Sequence, residues 1–565
     1  MDNNLISCRD IIVSEDYADF IEEYEIPSRE VMERLGGVCY QSIDINYSCV
    51  YVPNDKMKEL SLENYKYSSI PTLYGLMDTV ALEETGVLKL QNQPLLNLKG
   101  QGVIVGIIDT GIDYTHEAFR NDAGETRILK IWDQSDNSGN IPDGFGYGSE
   151  YTSSDINKAL NSENPLKIVP VTDEIGHGTF VAGVACGSEN IGEDFVGVAP
   201  ESEIVVVKLK RAKQYLKDYY MLPADAIAYQ ENDIMLALGY MREQARQFNM
   251  PLSIVLGVGS NRGGHIGKSP LSFSIEDFTR MAKSAISIAA GNEADKRHHY
   301  HGMINNGEEK VEMNIGEDVS GFTFEAWTRN PNIISIGFES PSGEVIPKIP
   351  ATLGANQRIY TVFDDTVIEV EYAFAEQLSG DEVIVVRFIN PSPGIWTINI
   401  YGENYDESYF DIWLPISGFI DENTFFLEPE PDGTITTPGD TMSAITLSSY
   451  NEKSGSIAND SSRGFLPNGL IKPDLSVPGV GVFGPVRGGS YGYRSGTSIS
   501  AAISAGVAAQ LLGWGVNNVE YRALGNQIIK SYLVRGAIRD DDKKYPDTRL
   551  GWGKMNVYNS FTFLT

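Results

Sequence analysis

The stretch SGTSISAA, residues 495–502, decides how this chain is read: it sets Ser498 after Gly-Thr at the start of a small, apolar helical run. A serine hydroxyl is a weak nucleophile at neutral pH and needs a base within hydrogen-bond reach, with a third group to orient that base. Working outward, VIVGIIDTGID, residues 103–113, is a β-branched run that ends at Asp109 in a Thr-Gly turn. An acid at a strand's carboxyl end lies on the rim where open α/β sheets carry their sites. GHGTFVAGVACG, residues 176–187, sets His177 between glycines ahead of a small-residue helix. Taken singly, Asp109 reads as a turn or cap, Ser498 as an N-cap and His177 as a loop residue. Together, in the order acid, imidazole, alcohol, they read as a catalytic triad.

AISIAAGNE, residues 285–293, is an apolar strand that brings Asn292 to the same rim. Acyl transfer needs donors where the carbonyl oxygen becomes an oxyanion, and a side-chain amide supplies one. Alone, Asn292 is a strand-end turn residue; beside the triad, the oxyanion role is favoured.

These four blocks resemble the subtilisin-like serine proteases, over residues 82–301 and 442–556. The resemblance implies that Asp109 orients, His177 acts as base and then acid, Ser498 attacks, and Asn292 with the Ser498 backbone N–H holds the oxyanion. It also implies that Gly257, Val258 and Gly259 pair with the substrate backbone beside the pocket for the residue preceding the cut, with Ala289, Ala290 and Gly291 on its other side. Gly257 and Val258 stand where the family has Ser-Leu. Ile499, Ser500, Ala502 and Ile503 replace the family's Met, Ala, Pro and His after the nucleophile, positions that supply no catalytic group. ENIGEDFVGVAP, residues 189–200, is similar to the family's calcium loop but has Ile191 in place of a side-chain ligand. Calcium takes about six to eight oxygens, so no strong calcium is expected there, and Glu193 and Asp194 are expected to be solvated loop charges. No metal or cofactor is called for.

The 565 residues exceed one core, and 44 Lys+Arg against 77 Asp+Glu give a net charge of −33. That charge excludes duplex nucleic acid and anionic membrane surfaces as natural partners. The first residues show no basic, apolar secretion signal, and no run of about eighteen apolar residues is evident; an intracellular or spore-associated setting in a bacterium is expected. Cys8, Cys39, Cys49 and Cys186 lack metal spacing and are expected as reduced thiols. RHHYHG, residues 297–302, is expected as a loop leaving the Asn292 strand, without an acidic partner to complete a zinc site. His116 and His265 are expected at the rim.

The expected fold class is α/β: a doubly wound, mostly parallel subtilisin-like sheet with an N-terminal α+β propeptide domain (1–77) and an inserted all-β jelly-roll or sandwich (303–433) between the two parts of the subtilase domain (78–302 and 434–565). In the first segment the pattern predicts a strand at 10–13, a helix at 28–35, strands at 38–45 and 48–52, and a helix at 55–60. Apolar strands then alternate with helices, including 224–248 and 274–282, the mark of βαβ units. Between Asn292 and Ser498 the texture changes to short strands broken by Pro, Gly, Asn and Asp turns. Helices over 498–512 and 519–531 close the pattern.

The N-terminal position implies a propeptide that is folding aid and inhibitor, bound in the chain's own cleft. IPTLYGLMDT, residues 70–79, lacks helix periodicity and is expected to lie extended there, with self-cleavage within Tyr74, Gly75, Leu76, Met77, Asp78 and Thr79. A propeptide, no signal and a β insertion together resemble the clostridial germination-specific Csp group. In that group the propeptide stays bound after cleavage and the substrate is a spore-cortex lytic enzyme precursor, while some members are silent pseudoproteases. The expected partner is a protein substrate; the alternative is a silent sensor with a blocked cleft.

Overall fold

The computed structural model describes residues 8–77, 99–304, 307–351, 356–402, 408–517 and 523–562. Its centre is an eight-stranded sheet in the order Leu475–Pro478, Ile445–Tyr450, Ser284–Ala289, Leu252–Leu256, Ile104–Asp109, Glu203–Lys208, Ile128–Asp133, Ser149–Thr152. All neighbours are parallel except the last pair. Alternate residues of Ile104–Asp109 feed opposite faces: Val105 and Ile107 pack towards helices His177–Cys186 and Thr497–Asn517, Ile104 and Ile108 towards Glu231–Phe248 and Pro270–Thr279. Burial on both faces explains why these strands are apolar throughout. Thr497–Gly515 is long and apolar enough to cross a membrane, a stretch the sequence reading overlooked; 89% of that window is buried in the core.

The inserted residues form two antiparallel sheets. One runs His299–Ile304, Ser408–Trp413, Gly321–Thr328, Glu382–Ile389, Val367–Ala373, Gln357–Tyr360; the other runs Val345–Ile349, Ile334–Glu339, Gly394–Gly402, Glu308–Ile315, Phe425–Phe426. They share an apolar core in which Phe388 contacts Phe322, Phe338 and Trp396 at ring-centre distances of 5.0–5.6 Å.

The N-terminal residues form a three-stranded sheet, Tyr17–Glu23, Tyr47–Pro53, Cys39–Ser42, with the helix Arg29–Leu35. Residues 10–13 are not a strand: Cys8–Ile12 is a helix that buries Ile11 and Ile12 as a pair on one turn. Tyr17–Glu23 was hidden by its acids, one of which, Asp19, is buried against Lys213 at 2.5 Å. Residues 55–60 are not a helix but the end of a turn followed by irregular backbone, with the Lys58 N–H donating to Tyr65 Oη. Cys8 and Cys39 are joined as a disulfide, Cα atoms 6.0 Å apart, and only Cys49 and Cys186 are free among the described residues. The helix expected from 224 begins at Glu231, because the backbone of Tyr229–Gln230 pairs with Leu73 and Tyr74 instead. The 274–282 helix is Pro270–Thr279, started by the Ser269 cap and Pro270. The 519–531 helix is Asn526–Gly536, and residues 518–522 lie outside the described residues.

Candidate active site

Asp109 ends its strand in the middle of the sheet, and His177 opens a helix whose cap, Gly176, adopts φ 80°, a left-handed conformation suited to glycine. Ser498 lies in the first turn of the buried helix Thr497–Asn517. Three distant segments thereby converge: His177 Nδ1 is 2.7 Å from Asp109 Oδ1, and His177 Nε2 is 3.0 Å from Ser498 Oγ. The Asp109 carboxylate also accepts from the Thr110 N–H at 2.7 Å. An ionised carboxylate on Nδ1 fixes the tautomer that leaves Nε2 free to take the hydroxyl proton.

Asn292 sits beside this row. Its Oδ1 accepts from the Thr497 N–H (3.2 Å) and Oγ1–H (3.0 Å), which fixes the amide; its buried Nδ2 has no partner among the described residues. An unpaired buried donor is costly unless something is meant to meet it. Thr497 Oγ1 also accepts from the Gly291 N–H at 3.1 Å.

The cleft is filled by the chain itself. Leu73–Leu76 is the middle strand of a three-stranded antiparallel sheet, with Leu76 opposite Val258 and Gly75 opposite Gly259 on one edge, and Tyr74 opposite Tyr229 on the other. The Met77 N–H donates to Gly257 O at 3.0 Å, and the Ser498 N–H donates to Met77 O at 3.2 Å. The Met77 carbonyl thus lies against the first turn of the helix that carries Ser498. Because this strand covers them, Asp109, His177 and Ser498 are at most 1% exposed. Asp78 and Thr79 lie outside the described residues.

Gly257, Val258 and Gly259 pair with this strand, and Ala289 shares an apolar cluster with Met77. The backbones of Ala290 and Gly291 are engaged elsewhere: Ala290 O accepts from the Thr436 N–H and Gly291 O from the Ser462 N–H. A Cβ on Gly257 would come within 2.9 Å of Ser498 Cβ and 3.1 Å of His177 Cε1, so this position packs directly against both residues.

Sequence reading missed Asp173. It is buried and accepts from Thr110 Oγ1 (2.6 Å), the Gly176 N–H (2.8 Å), and the Thr179 N–H (2.8 Å) and Oγ1 (2.7 Å), locking the turn that presents His177 to the Asp109 loop. An acid four residues before a glycine-flanked histidine was the available signal.

His116 and His265 are buried at 1% exposure: His116 Nε2 meets Ser490 O, and the two nitrogens of His265 meet Ile435 O and Asn261 O. His298 lies in a loop, as expected. Residues 299–304 form a strand, not a loop, because they pair with Ser408–Trp413; there His299 and His301 share Asp411 Oδ1 at 3.0 and 2.8 Å, an acidic partner supplied from over a hundred residues away. In the 189–200 loop Ile191 is 87% exposed and Glu193 and Asp194 face solvent.

The chain belongs to the subtilase family, the subtilisin-like serine proteases, whose family profile matches residues 100–347 and 423–553. Among solved structures it is similar to the Clostridium perfringens CspB protease: 32% identity, a TM-score of 0.75, and coverage of 85% of this chain and 96% of that one. It is 24% identical over 487 residues to the PII-type proteinase of Lacticaseibacillus paracasei, covering 77% of this chain and 24% of that protein. It is also 24% identical over 246 residues to the subtilisin of Bacillus sp. strain TA39, covering 42% of this chain and 47% of that protein. The chain therefore spans between a quarter and a half of the length of these curated relatives.

Proposed function

We propose that this chain is a serine endopeptidase whose first substrate is itself, at the bond between Met77 and Asp78. The observation that carries this is the short path from Asp109 through His177 to Ser498, with the Met77 carbonyl hydrogen-bonded to the Ser498 N–H. In the proposed reaction Ser498 Oγ attacks the Met77 carbonyl carbon while His177 Nε2 takes the hydroxyl proton. The oxyanion is held by the Ser498 N–H and Asn292 Nδ2. His177 then gives that proton to the leaving amine of residue 78, and water, deprotonated by His177, releases the acyl group from Ser498. Residues 1–77 act as a propeptide, and their last residues stay in the cleft as a product strand.

The likeness to the CspB protease supports limited proteolysis of a protein precursor in a spore-forming bacterium, such as a spore-cortex lytic enzyme. A silent sensor is the second reading, favoured by the absence of solvent access to Ser498 (0% exposed).

The experiment is intact-mass analysis of the parent and Ser498→Ala, with fluorophosphonate labelling. The expected result is a fragment ending at Met77 in the parent alone, and labelled Ser498 in the parent once that fragment has been removed from the cleft. Identical masses and no label would move the chain to the silent reading.

A further inference from the structure

Gly75 is the third residue before the proposed cut, and it lies on an ordinary strand, so its backbone makes no demand for glycine. Space makes that demand. A Cβ at this position would fall 2.7 Å from Ile416 Cδ1 and 3.3 Å from Phe419 Cε1. Both residues come from the stretch that follows the strand Ser408–Trp413 in the insertion, and both are buried, at 1% and 6% exposure. Carbon atoms repel steeply inside about 3.5 Å, so a longer side chain has to displace two packed apolar groups.

This roof over Gly75 is pinned to both lips of the cleft. The Leu414 carbonyl accepts from Asn261 Nδ2 at 3.0 Å, just beyond the strand that pairs with Gly75. The Leu414 N–H donates to His298 O at 2.9 Å, and the Ser417 N–H donates to Glu293 Oε1 at 3.0 Å, next to Asn292. Glu293 Oε2 is in turn held by His298 Nδ1 at 2.8 Å. These bonds fix the backbone on either side of Ile416, so its Cδ1 can turn aside for a methyl group, whereas a longer side chain at position 75 has to displace Phe419 as well.

We propose that the insertion acts as a specificity wall: the cleft favours glycine and turns away bulky side chains three residues before the cut. Tyr74 and Met77 are buried on either side of this checkpoint, while Leu76 is half-exposed, so the substrate class is an extended segment of the form aromatic, Gly, any residue, apolar. The wall makes the enzyme a selective processor rather than a general degrader. The inference rests on the protease reading above.

The test is the rate of self-cleavage in the full chain. Gly75→Ala should slow it roughly 10-fold and Gly75→Leu roughly 100-fold, the range expected when side chains are forced into a packed site. Adding Ile416→Ala and Phe419→Ala should return Gly75→Leu to within about 10-fold of the parent. That rescue separates a blocked wall from a misfolded chain, because a chain misfolded for another reason gains nothing from two further truncations. Parent-like cleavage by Gly75→Leu, or no rescue, overturns the wall. Absence of both cleavage and phosphonate label in the parent overturns the protease reading, and the wall with it.

Discussion

Strand Ile104–Asp109 of the parallel sheet is buried at all six positions, whereas Glu308–Ile315 of the insertion alternates exposed and buried residues, its apolar side turned to the shared core. The first pattern frees the strand's end for chemistry: Asp109 is held by a sheet that cannot shift without disturbing layers on both faces. The second makes a body with its own core, which reaches the cleft through the connecting stretch 414–420 and through Glu325 on the strand Gly321–Thr328, an acceptor for Arg262 and the Gly263 N–H. The catalytic part carries its role in side chains that react; the insertion carries its role in side chains that exclude.

This contrast can be broken at its strongest point first. His177→Ala should lower self-cleavage by roughly 10⁴-fold or more, read by intact mass, while leaving thermal unfolding of the insertion unchanged. Phe388→Ala, deep in the insertion's core, should do the reverse: a loss of about 3–5 kcal/mol in the insertion's urea unfolding transition, with Ser498 still labelled by phosphonate. If Phe388→Ala also abolishes labelling, the two parts are not separable and the comparison fails. Asn292→Ala should reduce the cleavage rate about 10²–10³-fold, the loss expected if its unpaired Nδ2 is the oxyanion donor proposed above.

The smallest effect concerns the boundary between the parts. Burial, the largest influence, holds the His265 imidazole down to about 4 although two carbonyls pull the other way. Below pH 6.5 the unfolded chain takes this proton before the folded one, so stability is lost as pH falls towards 4. Asp440, pushed up to about 6 by burial, has the opposite sign: the folded state binds its proton more tightly, and stability is gained as pH falls from 6 towards 4. The two largely offset each other. His265→Gln removes one of them, so relative to the parent it should gain roughly 2–3 kcal/mol between pH 6.5 and 4.5 by urea midpoint.

Much of the catalytic side was legible because its chemistry is local. DTG and AAGN put a polar residue at the end of an apolar run, GHGT and SGTS put one at the start of such a run, and chain order supplied the assembly. The parallel strands were legible for the same reason: their burial is uniform and needs no knowledge of neighbours. What escaped depends on distant partners. Tyr229–Gln230 read as helix because nothing nearby shows that they pair with Leu73 and Tyr74. His299 and His301 read as loop because Asp411 comes from a strand more than a hundred residues on. Cys8 and Cys39 read as thiols because spacing alone does not bring their backbones together. Gly75 read as one of six cleavage-region residues because the wall that singles it out lies over three hundred positions later.

Being the centre of three strands has a kinetic consequence for residues 73–77. A ligand bonded along one edge can peel away rung by rung, but this one is stitched along two edges and plugged by Tyr74 and Met77. Severing the covalent bond does not empty the groove. If the chain cuts itself as proposed, the clock that governs when it begins to work on others is the residence time of its own severed tail, and whatever loosens the contact with Tyr229–Gln230 or Val258–Gly259 sets that clock.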